Sequence, residues 1–503
     1  MSAELPTLAE LSRLAERCGF GVVPSDLDMM RALMAPAIAR LNALEALPDA
    51  LPPIKYPRAP GARPHGEANR YNAWCHKTSV KGAPGGKLAG KRIVLKDNIM
   101  LAGIPMMHGT SLLDGYVPTI DATVVQRILD AGGEIVGKAE TECLSHGSGT
   151  TSANGPIHNP RKHGYTTGGS SSGCAALVAA GEVELAIGGD QGGSIRVPSS
   201  HCGIYGMKPT YGLVPFTGVM EYEPTLDHLG PMSNTVSDNA LLLDVIAGPD
   251  GMDWRQDASP VQNYAADLNE GVAGLKIGIL EEGFAQPGGE PDVDIAVMQA
   301  IETLAGLGAK LQRVSLPLHR AAGDIWIGIG PEPFANSLAL AHGKTLGFPG
   351  PYDPALFERL SRWRECADRV HPRVKVNLLL GAYLTTKYNG RFYRKAQNAR
   401  PTLTAAYDAL LMDLDLVAMP TVPRKAKPHP PAGVTLDPDL ERIYAGSDNT
   451  WAACLTGHPA MSLPCGMSEG LPIGLMLVGR KREERTIYRA AAAFADAVDW
   501  TAT

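Results

Sequence analysis

Apolar residues recur every three or four positions in TLAELSRLAERC (7–18), where Leu8, Leu11 and Leu14 share one helical face. In DLDMMRALMAPAIARLNALEAL (26–47), Met29, Leu33, Ile38 and Leu41 do the same. The pattern predicts two helices. Pro36 is expected to kink or split the second, because proline lacks an N–H and crowds the preceding turn. From 47 to 90 the periodicity gives way to Pro and Gly (LPDALPPIKYPRAPGARPHG, then KGAPGGKLAGK), which reads as an extended surface connector. KRIVLKDNI (91–99) restores an apolar run, the pattern of a short buried strand, and ends in Lys96, Asp97 and Asn98. DATVVQRILDAGG (121–133) then reads as a helix with Val124, Val125, Ile128 and Leu129 on one face and a glycine stop, followed by a strand in EIVGK (134–138).

Strand, helix and strand in that order form a βαβ unit. The alternation recurs through CAALVAAG, VELAIGG, LKIGIL, a helix at 292–309, and KLQRVSL, so the fold class is α/β. Residues 317–410 read as mainly helical and irregular. Their aromatics (Trp326, Trp363, Tyr383, Tyr388, Phe392, Tyr393) suit a variable layer that covers the substrate at one end of the sheet. DLVAMPTVP and AMSLPCG return as strands, and REERTIYRAAAAFADAV closes the chain as an amphipathic helix. This places an N-terminal helical extension and connector at 1–85 and an α/β domain at 86–503.

Composition narrows the class of partner. A chain of 503 residues, 44% hydrophobic, can bury a large core. A net charge of -6 without any basic run argues against nucleic acid or an anionic membrane and favours a small neutral substrate. The eight cysteines are scattered, with no C-x-x-C pair and no histidine at zinc-ligand spacing, so neither a metal cluster nor a disulfide framework is expected. The first twenty residues mix acids and bases without an apolar signal region, and no run of eighteen apolar residues occurs, so a cytoplasmic location is expected. The N-terminal helices carry no catalytic pattern and are expected to serve as a cap or a homodimer contact.

The stretch 165–198 concentrates hydroxyls and free backbone. Ser170, Ser171 and Ser172 sit between glycines in one loop, and Ser194 follows Gly192 and Gly193 in the next. Glycine backbone lets a substrate approach closely and leaves N–H groups free to face a developing negative charge, which is what a nucleophile and its oxyanion donors require. Two neighbouring motifs are weaker. Gly132–Lys138 fits G-x-x-x-x-G-K, but Ala139 replaces the Ser/Thr that would hold magnesium, and the glycines bracket a strand. Gly169–Gly173 fits G-x-S-x-G, which would make Ser171 a hydrolase nucleophile, but no strand runs into it from HNPRKHGYTTGG.

GGSSSG (168–173), GGDQGGSIRVPSSHCGIYGMKPT (188–210), IVLKDNI (93–99) and GLPIGLMLVG (470–479) together resemble the amidase signature family. YGLVPFTGVM and TLDHLGPMSNTVSDNALLLDVIAG are similar to its branch of nitrile-pathway amidases and carbamate hydrolases. The resemblance implies the amidase-signature fold, a large mixed β-sheet core covered by helices. It also implies Ser194 as nucleophile, Ser170 as a relay preceded by a cis peptide, and Lys96 as base, with no cofactor. In the family the relay stands 24 positions before the nucleophile, the separation of Ser170 from Ser194 here. Many members have Thr-Asp-Thr-Gly-Gly-Ser where this chain has Gly189-Asp190-Gln191-Gly192-Gly193-Ser194, a difference expected to bear on substrate choice. Ser172, where many have Gly, is expected to matter little.

A lysine base must be neutral, yet an unperturbed lysine titrates near about 10.4. Placing Lys96 at the end of the apolar strand IVLK supplies the desolvation that lowers it. The N–H groups of Gln191, Gly192, Gly193 and Ser194 are the expected oxyanion hole. Asp190 and Arg196 are assigned to bracing the two loops. Gln191, Ser145, His146, Gly147 and Trp326 are candidate substrate contacts. The leading reading is an amidase that hydrolyses small aliphatic or aromatic carboxamides through a serine acyl-enzyme. The alternatives are a carbamate hydrolase with the same triad, a Ser-His-Asp esterase built on Ser171, and an amidotransferase subunit.

Overall fold

In the computed structural model, which describes residues 2–341, 350–431, 433–434 and 448–502, one sheet of eleven strands collects the apolar runs of the sequence. In chain order these are β1 (Trp74–Lys81), β2 (Arg92–Lys96), β3 (Glu134–Ala139), β4 (Leu185–Asp190), β5 (Tyr205–Lys208) and β6 (His228–Ser233). They continue with β7 (Lys276–Leu280), β8 (Lys310–Val314), β9 (Leu416–Pro420), β10 (Ala460–Ser468) and β11 (Leu471–Gly479). In space the order is β1-β3-β2-β4-β6-β5-β10-β11-β9-β7-β8. The sheet is mixed: β2 runs parallel to β3 and β4, and β7 to β8 and β9, while the remaining neighbours are antiparallel.

Two of the expected βαβ units join neighbouring parallel strands, whereas β4 pairs with β2 and not with β3. Helix α3 (Thr123–Asp130) joins the parallel neighbours β2 and β3 and buries Val124, Val125, Ile128 and Leu129, the face read from its periodicity. Lys276–Leu280 and Lys310–Val314 are likewise joined by a helix over Pro291–Gly306. The closing helix, Glu484–Ala497, turns Ile487, Tyr488 and Phe494 into the core.

Three expectations need correction. The 47–90 segment is not connector throughout, since β1 lies within it and pairs with β3, Trp74 opposite Ala139. By contact the chain divides into Met1–Pro52 and Pro53–Thr503, so residues 53–85 belong with the sheet rather than with the extension. Pro36 does not break its helix, which runs over Pro24–Leu44 as α2. The preceding helix, α1 (Leu8–Cys18), is fixed by a capping box between Thr7 and Glu10 and stops at Gly19, where φ is 72°. Within this N-terminal unit Arg31 Nε donates to the Pro6 carbonyl at 2.8 Å. α1 buries only Leu11 and α2 buries no residue, leaving Leu14, Met29, Leu33 and Leu41 exposed.

Apart from 342–349, which lies outside the described residues, the 317–410 layer is largely helical, with long helices at Pro372–Tyr388 and Arg391–Asp413. Of its aromatics, Trp326 is buried while Tyr383 and Phe392 are exposed. Among the described residues, no helix is long and apolar enough to cross a membrane.

Candidate active site

β2 and β4 lie side by side and parallel, Leu95 opposite Ile187, so Lys96 and the loop after Asp190 emerge at the same end of the sheet. Loops at the carboxyl ends of parallel strands are where such sheets place their chemistry. Lys96 is fully buried, and its Nζ donates to Ser170 Oγ at 2.7 Å and to the Gly189 carbonyl at 3.3 Å. Burial lowers its pKa to about 8, against the opposing pull of Asp190, Asp227 and other negative groups nearby. A lysine at that value supplies a useful neutral fraction at neutral pH, as proton acceptance requires.

The Gly169–Ser170 peptide is cis, and the Ser170 carbonyl accepts from Thr141 Oγ1 at 2.6 Å and from the Glu142 N–H at 3.3 Å. Gly169 must be glycine, because a Cβ there would lie 2.3 Å from the Gly147 carbonyl oxygen. Ser172 has more to do than expected. Its hydroxyl lies 2.7 Å from Glu142 Oε1 and 2.8 Å from the Gly168 carbonyl, tying the serine loop to the segment after β3.

The second loop is held by its carbonyls. That of Gln191 accepts from Trp326 Nε1 at 2.8 Å, that of Gly192 from Thr450 Oγ1 at 2.5 Å, that of Gly193 from the Val197 N–H at 2.7 Å and that of Ser194 from the Ser171 N–H at 3.2 Å. Since each peptide N–H points away from its own carbonyl, these anchors turn the Gly192 and Ser194 N–H groups the other way. Gly193 departs from the expectation of four free donors, because its N–H already donates to Asp190 Oδ1 at 2.7 Å. Among the described residues this leaves the Gln191, Gly192 and Ser194 N–H groups as the candidate oxyanion donors.

Asp190 braces the loop. Besides the Gly193 N–H, its carboxylate accepts from the Ile195 N–H, from Arg196 Nε and Nη2 at 3.0 Å each, and from Cys454 Sγ. Although burial opposes it, the Arg196 guanidinium holds the Asp190 carboxyl well below the usual carboxylate range.

Ser194 is partly exposed and lines a cavity of about 70 Å³ together with Ser145, His146, Gly147, Gln191, Tyr222, Trp326, Arg373 and Trp451. All five side chains and loop positions suggested as substrate contacts are thus brought to one place. Ser145 Oγ is paired with His108 Nε2 at 2.9 Å. Trp326 stacks between Tyr222 and Trp451, at centroid distances of 6.1 and 5.6 Å. Tyr222 also lines a larger, mostly apolar cavity of about 450 Å³ with Phe216, Met220, Phe334, Leu338 and Leu356. Nothing in the sequence pattern singles out Tyr222, Phe334, Arg373 or Trp451. The loop carrying Tyr222 is pinned by Asp227 Oδ2, which accepts the Tyr222 and Glu223 N–H groups at 3.0 and 3.1 Å. Burial pushes the Asp227 carboxyl up to about 8.

The esterase alternative fails on geometry. Ser171 is fully buried, and its hydroxyl is bonded at 3.1 Å to both the N–H and the carbonyl of Gly189, so it cannot face a substrate. Lys138, which ends the nucleotide-loop-like motif, forms a buried ion pair with Asp97 at 2.9 Å, a structural use.

Known proteins resemble this chain in sequence and in fold. The family profile described as Amidase matches residues 67–488. The chain is 37% identical over 500 residues to an enantioselective amidase of Rhodococcus rhodochrous, covering 98% of this chain and 96% of that protein. It is 40% identical over 430 residues to a glutamyl-tRNA(Gln) amidotransferase subunit of Haloarcula marismortui, covering 84% of this chain and 99% of that one. The solved peptide amidase of Stenotrophomonas maltophilia superposes with a TM-score of 0.68 at 28% identity, covering 82% of this chain and 83% of that chain.

Proposed function

This chain belongs to the amidase family and is a hydrolase of amide C–N bonds, and from that premise we propose that it cleaves small aliphatic or aromatic carboxamides through an acyl-enzyme on Ser194. The observation that carries this reading is the 2.7 Å bond from fully buried Lys96 to Ser170, beside the loop that bears Ser194.

Neutral Lys96 takes the proton of Ser170 as Ser170 takes that of Ser194, and Ser194 Oγ adds to the amide carbonyl. The oxyanion is received by the N–H groups of Gln191, Gly192 and Ser194. Lys96 then returns its proton through Ser170 to the departing nitrogen, the C–N bond breaks, and ammonia or an amine leaves. Water, deprotonated along the same relay, adds to the acyl-enzyme. Collapse releases the carboxylic acid and restores Ser194. The 70 Å³ cavity accommodates the reacting group, and the apolar 450 Å³ cavity that shares Tyr222 suits the acyl portion. Its walls come from 216–225 and 252–255 as much as from the helical layer.

A panel of benzamide, propionamide, an anilide and ethyl carbamate tests the substrate. Preference for an uncharged amide supports the reading, and preference for ethyl carbamate moves it to the carbamate hydrolases. A second reading, glutamine hydrolysis within a larger assembly, rests on the 40% identity to the amidotransferase component. Turnover of glutamine above benzamide, with copurification of a second protein, would establish it. A cytoplasmic setting accords with the eight free thiols.

A further inference from the structure

His146 follows two non-glycine residues in the left-handed region, Leu144 with φ 50° and Ser145 with φ 63°. This sharp local turn brings its ring to the wall of the cavity that Ser194 lines. Nδ1 lies 2.7 Å from the Leu144 carbonyl. A carbonyl only accepts, so Nδ1 carries the hydrogen and Nε2 is left with its lone pair. The ring packs against Phe334 at 4.5 Å and Tyr222 at 4.9 Å between centroids. Among the described residues Nε2 is buried without a hydrogen-bond partner, in a residue only 5% exposed. Burial also holds the imidazole down to about 3, so the ring stays an acceptor throughout the working range of a lysine-based enzyme.

A buried acceptor left unpaired is costly, and a site built around one discriminates strongly between ligands that supply a donor and ligands that do not. Near Ser194, the one donor that every primary carboxamide brings is its own N–H.

We propose that His146 Nε2 accepts a hydrogen bond from an N–H of the scissile carboxamide, which makes His146 the residue that selects amides bearing an N–H over esters and N,N-dialkyl amides. The proposal rests on the acyl-enzyme reading above and adds the substrate feature that reading leaves open. Because the bond is made to the nitrogen and not to the carbonyl, its loss weakens amide turnover relative to ester turnover.

The test compares kcat/KM for benzamide, N,N-dimethylbenzamide and methyl benzoate in the native protein, His146→Phe and His146→Gln, with fluorophosphonate labelling of Ser194 in each. His146→Phe keeps the ring stack and removes the acceptor, so its benzamide-to-ester ratio is expected to fall about tenfold or more. His146→Gln keeps an acceptor and should retain more of the ratio. A ratio unchanged in His146→Phe, or one in His146→Gln at or below that of His146→Phe, overturns the proposal. Independently of any change at position 146, the ¹⁵N resonance of His146 Nε2 in the Ser194→Ala protein should shift on adding benzamide and not on adding methyl benzoate. Equal responses to the two contradict the assignment. Loss of labelling at Ser194 in the native protein would sink the acyl-enzyme reading itself, whereas normal labelling with an unchanged ratio removes only the role of His146.

Discussion

Lys96 Nζ and Ser170 Oγ lie 2.7 Å apart in an interior where neither residue is more than 1% exposed, although 74 positions separate them in sequence. Lys96 stands at the end of β2, and Ser170 is fixed through its carbonyl by Thr141 and Glu142. The charge state of one side chain therefore decides whether the other can accept a proton.

The pH dependence follows from the sign of the Lys96 shift. Burial favours the neutral amine and brings its pKa down to about 8, so the base is protonated and idle below that value and available above it. The kcat is expected to rise about tenfold per pH unit on the acid side and to level off above about pH 8. Lys96→Ala should lower kcat by several orders of magnitude and abolish this limb. A flat profile between pH 6 and pH 9 in the native protein would exclude Lys96 as base.

Adjacent serines should respond differently. Ser170→Ala removes the relay and is expected to lower kcat by at least about 100-fold. Ser171→Ala should spare the relay and strip the buried bonds to the Gly189 N–H and carbonyl, a loss of about 1–3 kcal/mol in stability that urea unfolding should reveal. A Ser171→Ala protein that is inactive, beside an active Ser170→Ala protein, would reverse the assignment.

Asp190→Asn leaves the Arg196 guanidinium buried without its carboxylate and loosens the loop that holds Ser194. Breaking a buried pair of this kind costs about 3–5 kcal/mol, so a lower denaturant midpoint should accompany the loss of activity. Native stability with native activity would show that the brace is dispensable.

The N-terminal unit exposes Met29, Leu33 and Leu41 along a helix that buries nothing of its own. Its proposed use is a homodimer contact, the burial that such a face calls for. Light scattering should find a dimer for the full chain and a monomer once residues 2–52 are deleted. A full chain that is monomeric at micromolar concentration would refute this.

Much of the site can be read from the chain because its chemistry is local. A lysine closing an apolar strand and a serine after two glycines are visible without knowing what they meet, and the buried end of β2 bears out the desolvation inferred for Lys96. β1 is hard to see because Pro and Gly flank it and its alternation is weak. β6, HLGPMS, is fully buried yet carries Gly230 and Pro231, residues that argue against a strand. Tyr222, Arg373 and Trp451 come to the cavity from segments far apart in sequence, and no spacing rule connects them. The engagement of Gly193 by Asp190 is hidden for another reason: a glycine loop announces free N–H groups, and only the folded loop shows which of them a neighbouring carboxylate has taken.

The account stands most directly on where the covalent bond forms. Treating the native protein with a fluorophosphonate and mapping its peptides by mass spectrometry should place a single adduct on Ser194, and Ser194→Ala should lose both the adduct and amide turnover. An adduct on another residue, with turnover intact in Ser194→Ala, would contradict it.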